Sequence, residues 1–190
     1  MTANAAPKPT RLCDSSRSRL LLIDLQERLL AAMPEDELAR VQRNTGRLIE
    51  AARMLGVPVD ATLQYPQGLG SIVAPLDGLL RPEDGRSEKT AFSCCADDNL
   101  VGRLSEADIV VCGAETHVCV LQTTLEMLAA GRTVFVVADA VCSRDPQLKA
   151  NGLERMRAAG AIVTNHESVL FEWLRDSRNP QFRAVSRLIR

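Results

Sequence analysis

The chain has 190 residues, with 23 Lys and Arg against 24 Asp and Glu, for a formal net charge of −1. Hydrophobic residues make up 46% and charged residues 25%, a globular composition, and a chain of this length buries roughly 70% of its unfolded surface. With 4 Phe, 1 Trp and 1 Tyr and no excess of positive charge, it lacks the basic footprint and stacking platforms of a nucleic-acid binder, and no apolar stretch approaches the ~20 residues that span a bilayer.

In chain order, residues 1–16 read as a flexible tail without an apolar leader region, ahead of a single domain over residues 17–190. Short aliphatic runs then alternate with helical patterns. Strands are expected near Arg19–Leu25, Val57–Leu63, Glu88–Phe92, Asp108–Gly113, Thr133–Ala138 and Ala161–Thr164. The clearest helix is Glu37–Leu55, where Val41, Leu48, Ala52 and Leu55 share a face. Others run from His117 to Ala130, ending at Gly131, and from Pro146 to Gly160. A last helix starts at Asn179-Pro180 and carries Phe182, Val185, Leu188 and Ile189 as its apolar stripe. Residues 66–82, which include Gln67-Gly-Leu-Gly-Ser71, form no firm element and read as an irregular excursion over the sheet edge.

Strand–helix alternation implies an α/β fold, a doubly wound, Rossmann-like parallel sheet with helices on both faces. Ligands of such sheets sit beyond the carboxyl ends of the strands, where strand order reverses. A strand order of 3-2-1-4-5-6 puts that crevice between strands one and four, which brings together Asp24 and Cys119.

Cys119 falls in the first turn of its helix, where free N–H groups and the helix dipole favour a thiolate; the other reading is a small buried hydrophobe. On an ideal helix the apolar stripe is Val118, Leu121, Leu125 and Leu128, and Cys119 points roughly 130° away, on the side of Gln122 and Glu126. A cysteine nucleophile needs a proton acceptor. His117 faces elsewhere on the helix and His166 is remote, which leaves Asp24. That residue equally fits a capping box in Asp24-Leu-Gln-Glu27. Lys89 is either a solvated strand-end lysine or a fixed positive charge beside a carboxylate and a thiol. Cys112 and Cys142 belong to buried strands and Cys13 to the tail. The Cys94-Cys95 pair has no base in view. With no CxxC spacing among the six cysteines, reduced thiols in a cytoplasm are expected. Two His and no Cys pairs at ligand spacing give no expectation of a metal or other cofactor.

At these residues the chain resembles the isochorismatase-like cysteine hydrolases, most closely the isochorismatase-domain-containing branch. The matching segments are Leu21-Leu-Ile-Asp-Leu-Gln26, Gln64-Tyr-Pro-Gln-Gly-Leu-Gly70, Glu88-Lys-Thr-Ala-Phe-Ser93, Cys112-Gly-Ala-Glu-Thr-His-Val-Cys-Val-Leu-Gln-Thr-Thr124, Val137-Ala-Asp-Ala140, Ala161-Ile-Val-Thr164 and Asn179-Pro-Gln-Phe182. The resemblance implies the 3-2-1-4-5-6 order, a catalytic triad on Asp24, Lys89 and Cys119, and self-association into a homo-oligomer. It also implies a cis peptide at Ala114–Glu115 and an oxyanion hole from the Glu115 and Cys119 N–H groups. Metal-dependent nicotinamidases of this superfamily carry an Asp and His cluster after strand two, and Asp60-Ala-Thr-Leu-Gln-Tyr-Pro-Gln-Gly68 has no His. Isochorismatases proper commonly lack the nucleophilic Cys that this chain keeps. The branch usually has an acidic residue where Leu63 stands, a change expected at the pocket wall.

The function expected from these readings is metal-independent hydrolysis of a small amide or carbamoyl compound through a Cys119 thioester. Gln64, Tyr65 and Phe92 either line the substrate pocket or simply pack. The alternatives are a non-enzymatic binding or scaffold protein with a vestigial site, and a thiol redox sensor, which would need a resolving partner that the spacing does not supply.

Overall fold

Three apolar runs with no polar face fix the centre of the molecule. Leu20-Leu-Leu-Ile23, Ile109-Val-Val-Cys112 and Val134-Phe-Val-Val137 are all buried, as strands covered on both sides by helices must be. A computed structural model describes residues 11–190. Its strands are β1 (Ser18–Ile23), β2 (Val59–Gln64), β3 (Gly85–Lys89), β4 (Asp108–Ala114), β5 (Val134–Cys142) and β6 (Ile162–Thr164). They form one sheet in the order β3-β2-β1-β4-β5-β6, and every neighbouring pair is parallel.

The helices are α1 (Glu27–Leu30), α2 (Glu35–Leu55), α3 (Pro66–Leu69), α4 (Ala74–Asp77), α5 (Asp98–Arg103), α6 (Leu121–Ala129), α7 (Pro146–Ala158), α8 (His166–Leu174) and α9 (Phe182–Arg187). Alternate strand residues point to opposite faces. Leu20, Leu22, Val110 and Cys112 therefore pack under α2 and α8, against Val41, Leu48, Val169 and Trp173. Leu21, Ile23, Ile109 and Val111 pack against Leu100 of α5, Leu121 of α6 and Met156 of α7.

Where β4 meets β1, the two backbones approach closely. A Cβ on Gly113, whose φ is +132°, would lie 2.1 Å from the Ile23 carbonyl oxygen. Only glycine fits there, and the fit sets the floor of the crevice at the switch point.

Several elements differ from the sequence expectation. β3 lies three residues earlier than Glu88–Phe92, because Gly-Arg-Ser-Glu-Lys is a polar edge strand held by its inward Ser87 and Lys89 rather than by an apolar run. β5 continues past Ala138 to Cys142: it bulges between Val136 and Val141 and then resumes pairing with β4. Residues 66–82 are not irregular throughout. They hold α3 and α4, and Ile72 bridges to Gln26 just after β1, while Leu76 and Leu79 lie against Gly46 in the middle of α2. The last helix starts at Phe182, since Asn179-Pro180-Gln181 forms a turn in which Asn179 Nδ2 donates to the Leu174 carbonyl. Its expected stripe does pack against the α2–α8 core. Of the expected tail, residues 1–10 lie outside the described residues. Cys13 is fully buried, with its thiol 3.2 Å from the Ser18 hydroxyl. Among the described residues, no helix is long and apolar enough to cross a membrane.

Candidate active site

β1 stops at Ile23, and Asp24 follows with φ 52°, a left-handed conformation that Asp tolerates better than most residues. The turn leaves its carboxylate fully buried at the carboxyl end of β1, where the crevice is expected. Asp24 Oδ1 accepts from Thr62 Oγ1 at 2.7 Å, and Oδ2 accepts from Lys89 Nζ at 2.6 Å. The capping reading of Asp24 is thereby set aside: α1 begins behind Gln26, and no side chain caps it.

Lys89 is the last residue of β3, its side chain only 4% exposed, so it is not a solvated strand-end lysine. Its ammonium donates to Asp24, to Gln64 Oε1 at 2.7 Å and to the Phe92 carbonyl at 3.1 Å. With the Ala91 carbonyl at 3.4 Å as a fourth, weaker acceptor, all three ammonium protons are engaged, which fixes the charge in one place. Gln64 thus spends its side chain on Lys89 and, through Nε2, on the Thr90 carbonyl.

Cys119 reaches the same crevice from β4. The Ala114–Glu115 peptide is cis, and residues Thr116–Val120 form a π-helical turn that runs into α6. Val120 N–H donates five residues back to the Glu115 carbonyl. This wider turn displaces the ideal-helix geometry behind the sequence expectation. Cys119 does not sit on an outer face with Gln122 and Glu126; it is 5% exposed and belongs to the apolar cluster beneath α6. The Asp24 carboxylate lies close enough to act on its thiol. Burial first, and then the Asp24 carboxylate, push the thiol up to about 12 against the opposing pull of Lys89. Both effects favour the protonated thiol, whereas a helix N-terminus favours the thiolate.

Two contributors were missed in the sequence. Thr62, buried on β2, donates to Asp24; the signal available was its place two residues before Gln64, on the same strand face. Cys94 opens a 3₁₀ turn after β3 and is buried with its thiol 3.8 Å from Thr62 Oγ1. The pair Cys94-Cys95 therefore does have a carboxylate nearby, brought in from 70 residues upstream of Cys94 by the topology.

Tyr65 and Phe92 are 55% and 53% exposed, so neither packs in the core. Both hang from Lys89: Tyr65 N–H donates to the Lys89 carbonyl at 2.8 Å, and the Phe92 carbonyl accepts from Nζ. Leu63 points the other way, into the core under α2, and does not form a wall of this crevice. His117 contacts Ser143 Oγ at 3.0 Å and His166 contacts Asp139 at 2.6 Å, so neither serves Cys119. Asp60 is held by Arg19 at 2.5 Å and Arg103 at 2.7 Å. Among the described residues, no group of three or more His, Cys, Asp or Glu could hold a metal ion. A buried thiol, a carboxylate near enough to act on it and a fixed ammonium form a set able to deliver a sulfur nucleophile and to give and take one proton.

The model of the isochorismatase domain matches residues 18–168. Isochorismatase domain-containing protein 2A of Mus musculus is 36% identical over 179 residues, covering 91% of this chain and 82% of its own. A structure described as the MAR1 ribonuclease of Caenorhabditis elegans superposes with a TM-score of 0.89 at 35% identity, covering 94% of this chain and 92% of its own. YcaC from Pseudomonas aeruginosa, solved with hexane-2,5-diol and covalent acrylamide, gives 0.84 at 27% identity over 96% and 98% of the two chains.

Proposed function

The chain belongs to the isochorismatase family of hydrolases, and we propose that within it this protein is a metal-independent cysteine amidohydrolase acting on a small amide or carbamoyl compound. The reading rests on one observation above all: the fully buried Asp24 carboxylate, held 2.6 Å from Lys89 Nζ, lies close enough to the Cys119 thiol to raise it. Because the resting sulfur is neutral, its proton passes to Asp24 as the sulfur attacks the carbonyl carbon, and Lys89 keeps the buried charge balanced through the transfer. The carbonyl oxygen gathers negative charge opposite the Glu115 and Cys119 N–H groups. Among the described residues, the Glu115 N–H has no backbone hydrogen-bond partner, which supports its role as an oxyanion donor. Asp24 then protonates the leaving amine, and water, deprotonated by the same carboxylate, cleaves the thioester.

Tyr65 and Phe92, exposed beside Lys89, supply apolar surface at the mouth for the rest of the substrate. The acrylamide bound covalently to the P. aeruginosa protein is in keeping with a reactive nucleophile in this fold. The ribonuclease description of the C. elegans protein implies phosphodiester chemistry, which a buried thiol and a chain of net charge −1 suit less well than acyl transfer. The six cysteines, all unpaired, suit a reducing cytoplasm. Self-association is part of the same proposal, and sedimentation velocity tests it.

An ammonia-release screen over small amides and carbamoyl compounds tests the activity. A turned-over substrate should lose ~10³-fold or more in kcat with Cys119→Ala and with Asp24→Asn. Full turnover by Cys119→Ala would overturn the mechanism.

A further inference from the structure

Cys94 has no part in the hydrolytic scheme, yet it is buried against the same group. Its thiol donates to Thr62 Oγ1 at 3.8 Å, and Thr62 donates to Asp24 at 2.7 Å; Cys119 lies within the electrostatic reach of the same carboxylate and of Cys94 itself. The segments that carry the two cysteines are tied together as well. Cys94 N–H donates to Thr123 Oγ1 at 2.9 Å, and Thr123 is four residues, about one turn, beyond Cys119. Both cysteines lie in one apolar cluster. We propose that Cys94 and Cys119 are a redox pair: a hydroperoxide oxidises Cys119, Cys94 resolves it, and the resulting disulfide switches the site off until a thiol reductant restores it.

The chemistry balances without any further reagent. Cys119, being the less buried of the two, meets hydrogen peroxide first. Its sulfur bonds to one peroxide oxygen as the thiol proton goes to Asp24; the O–O bond breaks, and the departing hydroxide takes that proton back as water. Sulfur is oxidised to the sulfenic acid and peroxide is reduced. The Cys94 sulfur then attacks the Cys119 sulfur, the S–O bond breaks, and hydroxide leaves with the Cys94 proton as a second water. In this step Asp24 serves as the base it is in the proposed hydrolysis, so the inference rests on that assignment.

Burial pushes the Cys94 thiol up to about 11. Cys95 is the wrong partner. Its thiol lies 3.9 Å from the Thr123 carbonyl, half-buried and near Glu126.

The test treats the full-length protein with a few equivalents of hydrogen peroxide, followed by intact-mass measurement and non-reducing peptide mapping. Wild type should lose about 2 Da, yield a cross-linked peptide joining Cys94 to Cys119 and recover its mass with dithiothreitol. Cys94→Ser should instead gain two or three oxygens on Cys119, with dimedone trapping the intermediate sulfenic acid. Cys94→Ala checks that serine itself has no effect. Cys119→Ser should form no cross-link. Wild type that collects oxygens on Cys119 with no cross-link, or a cross-link through Cys95 or between chains, overturns the proposal. Amide hydrolysis by the reduced protein is read separately. Cross-linking without turnover would count against the hydrolase alone, and turnover without cross-linking against the redox pair alone.

Discussion

Replacing Lys89 with Met gives the sharpest energetic test of the site. The substitution keeps the four-atom apolar stem and deletes the ammonium, leaving the fully buried Asp24 carboxylate with Thr62 as its remaining side-chain donor. Stranding a buried charge in this way costs about 3–5 kcal/mol, far above the ~0–1 kcal/mol of an exposed pair. For a domain of this size each kcal/mol shifts the melting temperature by ~2–4 °C, so Tm should fall by about 6–20 °C. Gln64 and the Phe92 carbonyl also lose their donor, which places the loss toward the upper end. Urea unfolding at pH 7 measures it, with the m-value held constant as the check that only stability changed. Lys89→Met with Asp24→Asn should lose much less than the sum of the two single variants, because the pair is then removed as a pair. A Lys89→Met loss below about 1 kcal/mol, or strictly additive losses, would refute the picture of a buried, mutually dependent pair.

Three further outcomes follow from the same coordinates. With the Cys119 thiol raised to about 12, it is neutral at pH 7, so its iodoacetamide alkylation rate should keep climbing above pH 9; a plateau near neutrality would contradict the raised value. Gly113→Ala forces a Cβ to 2.1 Å from the Ile23 carbonyl and should cost about 4 kcal/mol or more, read as lost soluble yield or a collapsed urea midpoint; near-native stability would show that β1 and β4 can separate. Asp139 is half-buried, which pushes its carboxyl up, but hydrogen bonds from His166 outweigh this and hold it below the usual carboxylate range. Its contribution to stability is therefore complete above the unfolded value of about 3.9 and is lost as the pH falls through the lowered folded value. His166→Ala should move the acid-unfolding midpoint to higher pH, and an unmoved midpoint would contradict that role.

What could be read in the sequence was whatever the chain states locally. β4 and β5 declare themselves because an unbroken Ile-Val-Val or Val-Phe-Val-Val run fits nothing but a strand buried on both faces, and the sheet order, once known, places Asp24 and Cys119 in one crevice. β3 is hidden because an edge strand of Gly-Arg-Ser-Glu-Lys shows no apolar alternation; what holds it is Lys89 reaching Asp24, a contact between residues 65 positions apart. α8 was overlooked although its start is written in the chain, with Asn165 Oδ1 accepting from Ser168 N–H. The π-helical turn at Thr116–Val120 has no composition of its own, and it is the reason that Cys119 turns inward instead of onto the polar side. Thr62 and Cys94 looked like ordinary strand and loop residues, since their meaning lies in what they touch. The thiol's upward shift is of the same kind, being set by burial and by a carboxylate that only the fold brings near.

The most direct test of the account is a rapid-quench intact-mass experiment on whichever amide the ammonia screen identifies. It should show an acyl adduct on the protein that rises and falls with turnover, maps to Cys119 and is absent from Cys119→Ala. Steady ammonia release with no adduct at Cys119 under any quench time, or an adduct that maps to another residue, would contradict it.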